Sequence, residues 1–197
     1  SLRDPLSGTA NLRHFDSILD RELDRVARSG DIALLLMVDI DHFKRVNDQH
    51  GHNVGDLVLQ QVAQALAQCI RPMDTLARYG GEEFAIVLPA CQTAYGQNVA
   101  ERIRRAVDNL RIRIAPGRDI QVTVSIGGAY ALQWIRSTRQ LWIERADQQL
   151  YLAKDRGRNR IEIEQQPDST VTAEEKNLLL IPALTTESSS EDWHEVR

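Results

Sequence analysis

Arg78-Tyr79-Gly80-Gly81-Glu82-Glu83-Phe84 lies between two apolar runs, Thr75-Leu76-Ala77 before it and Phe84-Ala85-Ile86-Val87-Leu88 after it. A Gly-Gly pair between two such runs predicts a β-hairpin, because both turn residues can take positive φ. Glycines leave room beside the backbone, and two carboxylates directly after them suit a hard cation. Together they suggest a metal-bound phosphate. The plainer alternative is a polar hairpin tip with solvated charges.

Working outward, Ile32 to Val38 is a continuous apolar run ending at Asp39, which reads as a central strand buried on both faces. Its C-terminal end carries Asp39 and Asp41. Before it, Phe15, Ile18, Leu19, Leu23 and Val26 predict a helix over about residues 11–28, stopped at Gly30. After it come a short helical turn (His42 to Asp48) and a glycine-bounded loop (Gly51 to Asp56). A helix from about Asp56 to Ile70 follows, ended by Pro72. Beyond the hairpin, Val99 to Leu110 has helical spacing, and Ile112 and Ile114 precede a Pro116-Gly117 turn. Ile120, Val122, Val124 and Ile126 alternate as a strand ending in Gly127-Gly128. A helix is expected over about 137–154 and a last strand over 161–163. Alternating strands and helices with two local hairpins indicate an α/β (α+β) domain with a mixed sheet.

Composition narrows the class. The chain has 197 residues, 42% hydrophobic and 26% charged, with a net charge of −4, ordinary values for a globular domain. Lys and Arg are scattered, which gives no nucleic-acid stripe. No apolar run approaches ~18 residues, so no membrane segment is expected, and no leader is visible. Cys69 and Cys91 form no metal or disulfide pattern and give no reason to look outside the cytoplasm. The chain opens at Ser1 without a methionine, as a piece of a longer protein would. Residues 1–164 read as the domain. Residues 165–197 read as a tail, either disordered or a linker with a short docking segment at Leu178 to Leu184.

Several further stretches fall in one order: Asp39-Ile40-Asp41-His42-Phe43-Lys44, Asn47-Asp48, Gly51-His52, Gly55-Asp56, Ser125-Ile126-Gly127, and Ala153-Lys154 with Gly157-Arg158-Asn159-Arg160. Jointly with Gly80-Gly81-Glu82-Glu83-Phe84, they resemble the GGDEF family of diguanylate cyclases over about residues 4 to 164. The opening departs from the family's D-x-L-T-G-L-x-N-R-R pattern at Thr9 and Leu12, and Ser7 keeps a hydroxyl.

The resemblance implies a palm-like nucleotidyl cyclase core, a central mixed sheet flanked by helices. It also implies condensation of two GTP into cyclic di-GMP by a homodimer. Asp39, Glu83 and the carbonyl of Ile40 are the implied ligands of two Mg²⁺ ions, with Mn²⁺ as an alternative. Glu82 is the implied general base and a further metal contact, and Lys44 the stabiliser of transition-state charge. Asn47 and Asp56 are the implied guanine contacts. A carboxylate accepts both parallel donors of the guanine edge, although Asp56 also suits an N-cap and Asn47 a turn. Leu6 and Leu59 are candidates for the walls around the base or for ordinary core. Gly80 and Gly81 leave room for a nucleotide, and Lys154 and Arg158 are the implied ligands of its triphosphate. A solvated helix end is the alternative for Arg158.

Arg71-Pro72-Met73-Asp74 is an R-x-x-D placed five residues before Gly80. By resemblance it marks an inhibitory product site, with Arg102 as a third member. Two rival readings stand beside the enzyme. One is a cyclic di-GMP-binding module without catalysis, and the other an interaction protein whose tail recruits a regulatory partner. A cyclase for another nucleotide is a third, against which Asn47 and Asp56 argue.

Overall fold

Ala33–Ile40 (β1) is buried at every residue, as a continuous apolar run requires when a strand is covered on both sides. The computed structural model describes residues 1–134 and 137–165. Ser1–Glu164 forms one unit and Gln165–Arg197 a second. The predicted apolar segment Leu178 to Leu184 and its polar flanks lie outside the described residues.

In the first unit, Leu12–Ser29 (α1) precedes β1. Phe43–His50 (α2), His52–Gln68 (α3), Thr75–Arg78 (β2) and Glu83–Leu88 (β3) follow it. Then come Thr93–Asp108 (α4), Ile112–Ala115 (β4), Arg118–Ile120 (β5), Val124–Ala131 (β6), Arg139–Asp155 (α5) and Ile161–Ile163 (β7). The main sheet has the order β2-β3-β1-β6-β7, and β4-β5 is a separate hairpin. β1 runs antiparallel to both β3 and β6, whereas β6 and β7 are parallel. This is the expected mixed sheet.

The strand period of two divides the core. Leu34, Leu36, Val38 and Ile40 pack with side chains of α2, α3 and α4. Ala33, Leu35 and Met37 pack with Phe15, Leu19 and Val26 of α1 and with Trp142, Ala146 and Leu150 of α5. By the same parity, Asp39 faces α5.

Local signals set the helix ends. Asn11 caps α1 by accepting from the His14 amide at 3.0 Å, and Gly30 closes it at φ 77°. Thr138 caps α5 through the Leu141 amide at 3.2 Å.

Three expectations need correction. The loop predicted over Gly51 to Asp56 is helical from His52 onward. Gly51 alone, at φ 87°, separates α2 from α3, because glycine takes left-handed backbone without a Cβ clash. Asp56 therefore lies inside a helix and caps nothing. The strand predicted over 120–126 is broken at 121–123, and β6 continues through Gly127-Gly128 to Ala131. The two glycines admit neighbouring elements instead of ending the strand. Finally, neither Gly80 nor Gly81 has positive φ. Four residues join β2 to β3, so the bend is not a tight primed turn, and glycine supplies space there.

Gly127 shows how close the packing is. A Cβ there would lie 2.1 Å from the Leu150 backbone nitrogen and 2.5 Å from the Ala146 carbonyl. Gly127→Ala must push α5 off the sheet, at a cost of about 1–3 kcal/mol or more. Gly128→Ala meets chiefly the flexible ends of Leu36, Ile163 and Leu34 and should cost less. Chemical denaturation of the two variants checks that order.

Candidate active site

The pairing of β1 with β3 sets Asp39 directly opposite Glu83, and the Ile40 amide donates to the Glu82 carbonyl at 3.2 Å. Side chains paired in this way stand with Cβ atoms ~4.5–5.5 Å apart. Lys154, from the last turn of α5, donates to Asp39 Oδ2 at 2.8 Å.

Asp39 is only 7% exposed. Burial pushes its carboxyl above the ordinary value; Lys154 opposes this, and the charges of Glu82 and Asp41 add to it. Burial likewise raises Glu83, with Asp39 and Asp147 adding and Lys154 opposing. Desolvation and like charge together outweigh the one ammonium.

Among the described residues, no three His, Cys, Asp or Glu side chains close around one ion position. The structure thus brings Asp39 and Glu83 together and leaves Glu82 beside them, half-buried. This donor set fits Mg²⁺. That ion takes one or two carboxylates and completes its shell with waters and phosphate oxygens. A dication there would relieve the repulsion between Asp39 and Glu83.

Gly80 and Gly81 border the pair. A Cβ on Gly80 would stand 3.2 Å from Glu83 Oε2, whereas one on Gly81 would meet nothing within 4 Å. The bend is held from behind by Arg78, whose guanidinium donates to the carbonyls of Gly80 at 3.2 Å and Gly81 at 3.0 Å. Arg78 also lies 3.5 Å from Asp4 of the opening turn. In that turn Ser7 Oγ donates to Asp4 at 2.7 Å and lies 2.8 Å from Thr9 Oγ1. Ser7 has one proton, so Thr9 is the donor between the hydroxyls. The departure from the family pattern at Thr9 therefore makes a bond of its own.

Asn47 and Asp56 occupy the α2–α3 corner. Asn47 Oδ1 is buried without a hydrogen-bond partner. An unsatisfied buried acceptor costs ~1–3 kcal/mol, and a ligand N–H would satisfy it. Gly55 makes the arrangement feasible, because a Cβ there would lie 1.9 Å from that same oxygen. Asp56 is exposed, as is Lys44 in the first turn of α2. Leu59, at 2% exposure, belongs to the core, and half-buried Leu6 packs against the same cluster.

Arg158 projects from the turn between α5 and β7 and is exposed. Asp41 braces that turn, a role the sequence reading missed. Its buried carboxylate accepts from Thr123 Oγ1 and Ser125 Oγ, both at 2.6 Å, and from the Asn159 amide at 3.0 Å. Asp41 and Ser125 were visible in the motifs, but nothing local joins residues so far apart in sequence.

The R-x-x-D segment closes on itself. Asp74 Oδ2 accepts from the Arg71 amide at 2.7 Å, and Oδ1 from Arg71 Nη2 at 2.8 Å. The Asp74 side chain is 0% exposed and that of Arg71 31%. Arg71 also donates to the Pro89 carbonyl at 2.8 Å and lies 4.7 Å from the Tyr95 ring centroid. Arg102 is anchored to the Cys69 carbonyl at 2.6 Å. The three residues share a neighbourhood, with Asp74 committed to Arg71. Cys69 and Cys91 are free and buried, and burial pushes the Cys91 thiol up to about 11.

The family model for "Diguanylate cyclase, GGDEF domain" matches residues 1–160, and this chain belongs to that family. It is 40% identical over 160 residues to diguanylate cyclase DosC of Escherichia coli K12, covering 81% of this chain and 34% of DosC. To the response regulator PleD of Caulobacter vibrioides it is 39% identical over 162 residues, covering 82% and 36%. The chain thus spans about a third of the length of these relatives. Among solved structures, the GGDEF domain of DgcB from Caulobacter crescentus, crystallised with c-di-GMP, superposes with a TM-score of 0.79. It is 35% identical, covering 84% of this chain and 94% of that one. SiaD of Pseudomonas aeruginosa, crystallised with its activator SiaC, has a TM-score of 0.79 at 37% identity, covering 83% and 62%. The palm-like mixed sheet is the family's fold. Among the described residues, no helix is long and apolar enough to cross a membrane.

The raised carboxyl of Glu83 gives a signed prediction. A carboxyl whose folded value is raised favours folding fully below its ordinary range and loses that contribution as pH rises. Glu83→Gln should therefore raise the melting temperature of metal-free protein at neutral pH, and the gain should vanish below about pH 4. Magnesium should raise the melting temperature of wild type more than that of the variant. Thermal melts across pH, with and without Mg²⁺, check both outcomes.

Proposed function

We propose that this domain is a diguanylate cyclase that joins two GTP molecules into cyclic di-GMP and releases two pyrophosphates. The observation that carries the reading is the register of Asp39 against Glu83 beside Lys154, with the orphaned Asn47 oxygen at the neighbouring corner. Divalent ions are the family's cofactor. Asp39, Glu83 and the Ile40 carbonyl would hold Mg²⁺, with Mn²⁺ as an alternative, and Glu82 borders it. Bound there, the metal supplies charge neutralisation on the phosphates and acidifies the attacking hydroxyl.

The chain's own residues do the rest. Asn47 and Asp56 select guanine, since an amide and a carboxylate match its donor-rich edge. Lys154 and Arg158 bind the triphosphate, and Lys154 exchanges Asp39 for phosphate oxygens. Glu82 accepts the proton of the 3′-hydroxyl as its oxygen bonds to the α-phosphorus. The bond from that phosphorus to the pyrophosphate oxygen breaks, and Lys44 and Arg158 balance the charge that develops. Each domain holds one GTP, so two copies must face each other with two-fold symmetry for both attacks to occur.

Incubation with GTP and Mg²⁺ should yield cyclic di-GMP by chromatography, at a rate rising more steeply than linearly with protein concentration. ATP should not replace GTP. Glu82→Gln should lower turnover ~10²–10⁴-fold, the usual effect of losing a positioned base. No cyclic product at any concentration would overturn the reading.

Product inhibition through Arg71, Asp74 and Arg102 belongs to the same proposal. Arg71 and Arg102 offer forked donors that suit phosphate, while Asp74 must part from Arg71 to meet a guanine. Replacing Arg71 and Asp74 together by alanine removes a matched pair without stranding a buried charge. That double variant should accumulate more product and bind cyclic di-GMP more weakly by calorimetry. Unchanged inhibition would remove the site from the account.

A further inference from the structure

The turn that carries Arg158 is unusual among the described residues. Arg158 and Asn159 have φ values of 63° and 45°, the only consecutive non-glycine pair in the left-handed region, and Gly157 before them has φ 120°. Asn tolerates this region, while a long side chain such as Arg enters it only when its surroundings require it. The Arg158 amide donates to the Ala153 carbonyl, and the Ile126 amide donates to the Arg160 carbonyl, both at 3.0 Å. Asp41 takes the Asn159 amide from the sheet side at 3.0 Å.

On the other side stands α4. Arg104 Nη1 donates to Asn159 Oδ1 at 2.9 Å. The guanidinium is itself fixed: Nε and Nη2 donate to the Glu101 carboxylate at 3.0 and 2.6 Å, and Asp108 lies 3.7 Å away. The Arg104 side chain is 18% exposed. A largely buried, doubly paired arginine thus spends a remaining donor on one side-chain oxygen in this turn.

We propose that Arg104 is a positioning residue that acts through Asn159 to aim Arg158 at the triphosphate. Asn159 is gripped at its amide by Asp41 and at its side chain by Arg104. These two grips set the orientation of the adjoining peptide and hence the direction of the Arg158 side chain. Without the α4 grip, the turn relaxes toward ordinary backbone and Arg158 swings away. Charge-assisted hydrogen bonds of this geometry are the stronger kind, so the link suffices to hold an otherwise unfavourable turn. The proposal rests on the reading of Arg158 as a triphosphate ligand.

Binding separates the two ideas without any need for turnover. The affinities of GTP and of guanosine, measured by calorimetry with Mg²⁺, give the increment due to the triphosphate. Arg158→Ala sets how much of that increment Arg158 supplies. Arg104→Ala and Asn159→Ala should each weaken GTP about tenfold, a typical loss for one charge-assisted contact, and leave guanosine unchanged. Asn159→Ala keeps the backbone amide for Asp41 and removes only the side-chain oxygen that Arg104 holds, so it breaks the α4 link and carries the test if Arg104→Ala fails to fold. Arg104→Ala combined with Arg158→Ala should be no weaker than Arg158→Ala alone, because one acts through the other.

An Arg104 role confined to folding would weaken guanosine and GTP alike, or add fully to Arg158→Ala, and either result overturns the proposal. Retention of the full GTP increment in both single variants overturns it too. Wild type binding GTP no tighter than guanosine, or Arg158→Ala leaving the increment intact, instead removes Arg158 as a ligand and takes this inference with it.

Discussion

Two acidic side chains face each other across neighbouring antiparallel strands in a sheet covered by helices on both sides. Asp39 and Glu83 cannot separate without breaking the register of β1 and β3, which the apolar residues on both faces fix. Desolvation raises both carboxyls, neighbouring carboxylates add to it (Glu82 and Asp41 at Asp39, Asp39 and Asp147 at Glu83), and one ammonium, Lys154, offsets part of this. The arrangement is poor for stability and suited to a cation. An ordinary strand pair at this place would have carried a hydrophobic or oppositely charged couple.

Space around that pair is controlled by residues without side chains. Gly80 and Gly81 keep the approach beside Glu83 open, and Gly55 makes room for the Asn47 amide. Gly127 lets the α5 backbone lie against β6, and Lys154 reaches Asp39 from that helix. The glycines act here through absent volume. The left-handed positions, Gly51 and Gly157 among them, do separate work by breaking α2 from α3 and by turning the chain after α5. A single residue type thus supplies two distinct physical properties, and the sequence does not say which applies at each position.

The polar braces around the site are as specific as the site itself. Asp41 accepts three hydrogen bonds, from β6, the link between β5 and β6, and the turn after α5. Arg78 ties the signature bend to the opening turn, and Arg104 ties α4 to Asn159. Each places a charge where burial would be costly without partners, and each has its partners. Asn47 Oδ1 stands apart as a buried acceptor with none.

Periodicity and motif order were enough to define β1 as the buried centre, the amphipathic faces of α1 and α4, and the carboxylates at the ends of β1 and the hairpin. These follow from the residues' own spacing and from which side chains avoid water. The sequence also contained Asn47, Asp56, Lys154 and Arg158 in family order. It misplaced the start of α3, the extent of β6 and the kind of bend at Gly80-Gly81, because a glycine that gives way to a neighbour looks the same in sequence as a glycine that turns the chain. Tertiary structure alone decided that Asp39 lies opposite Glu83, that Asp74 is sealed against Arg71, and that Asp41 and Arg104 grip the turn bearing Arg158. Apart from the local Arg71–Asp74 pair, those contacts join residues remote along the chain, and they exist only once burial has fixed the strand register and packed the helices on it.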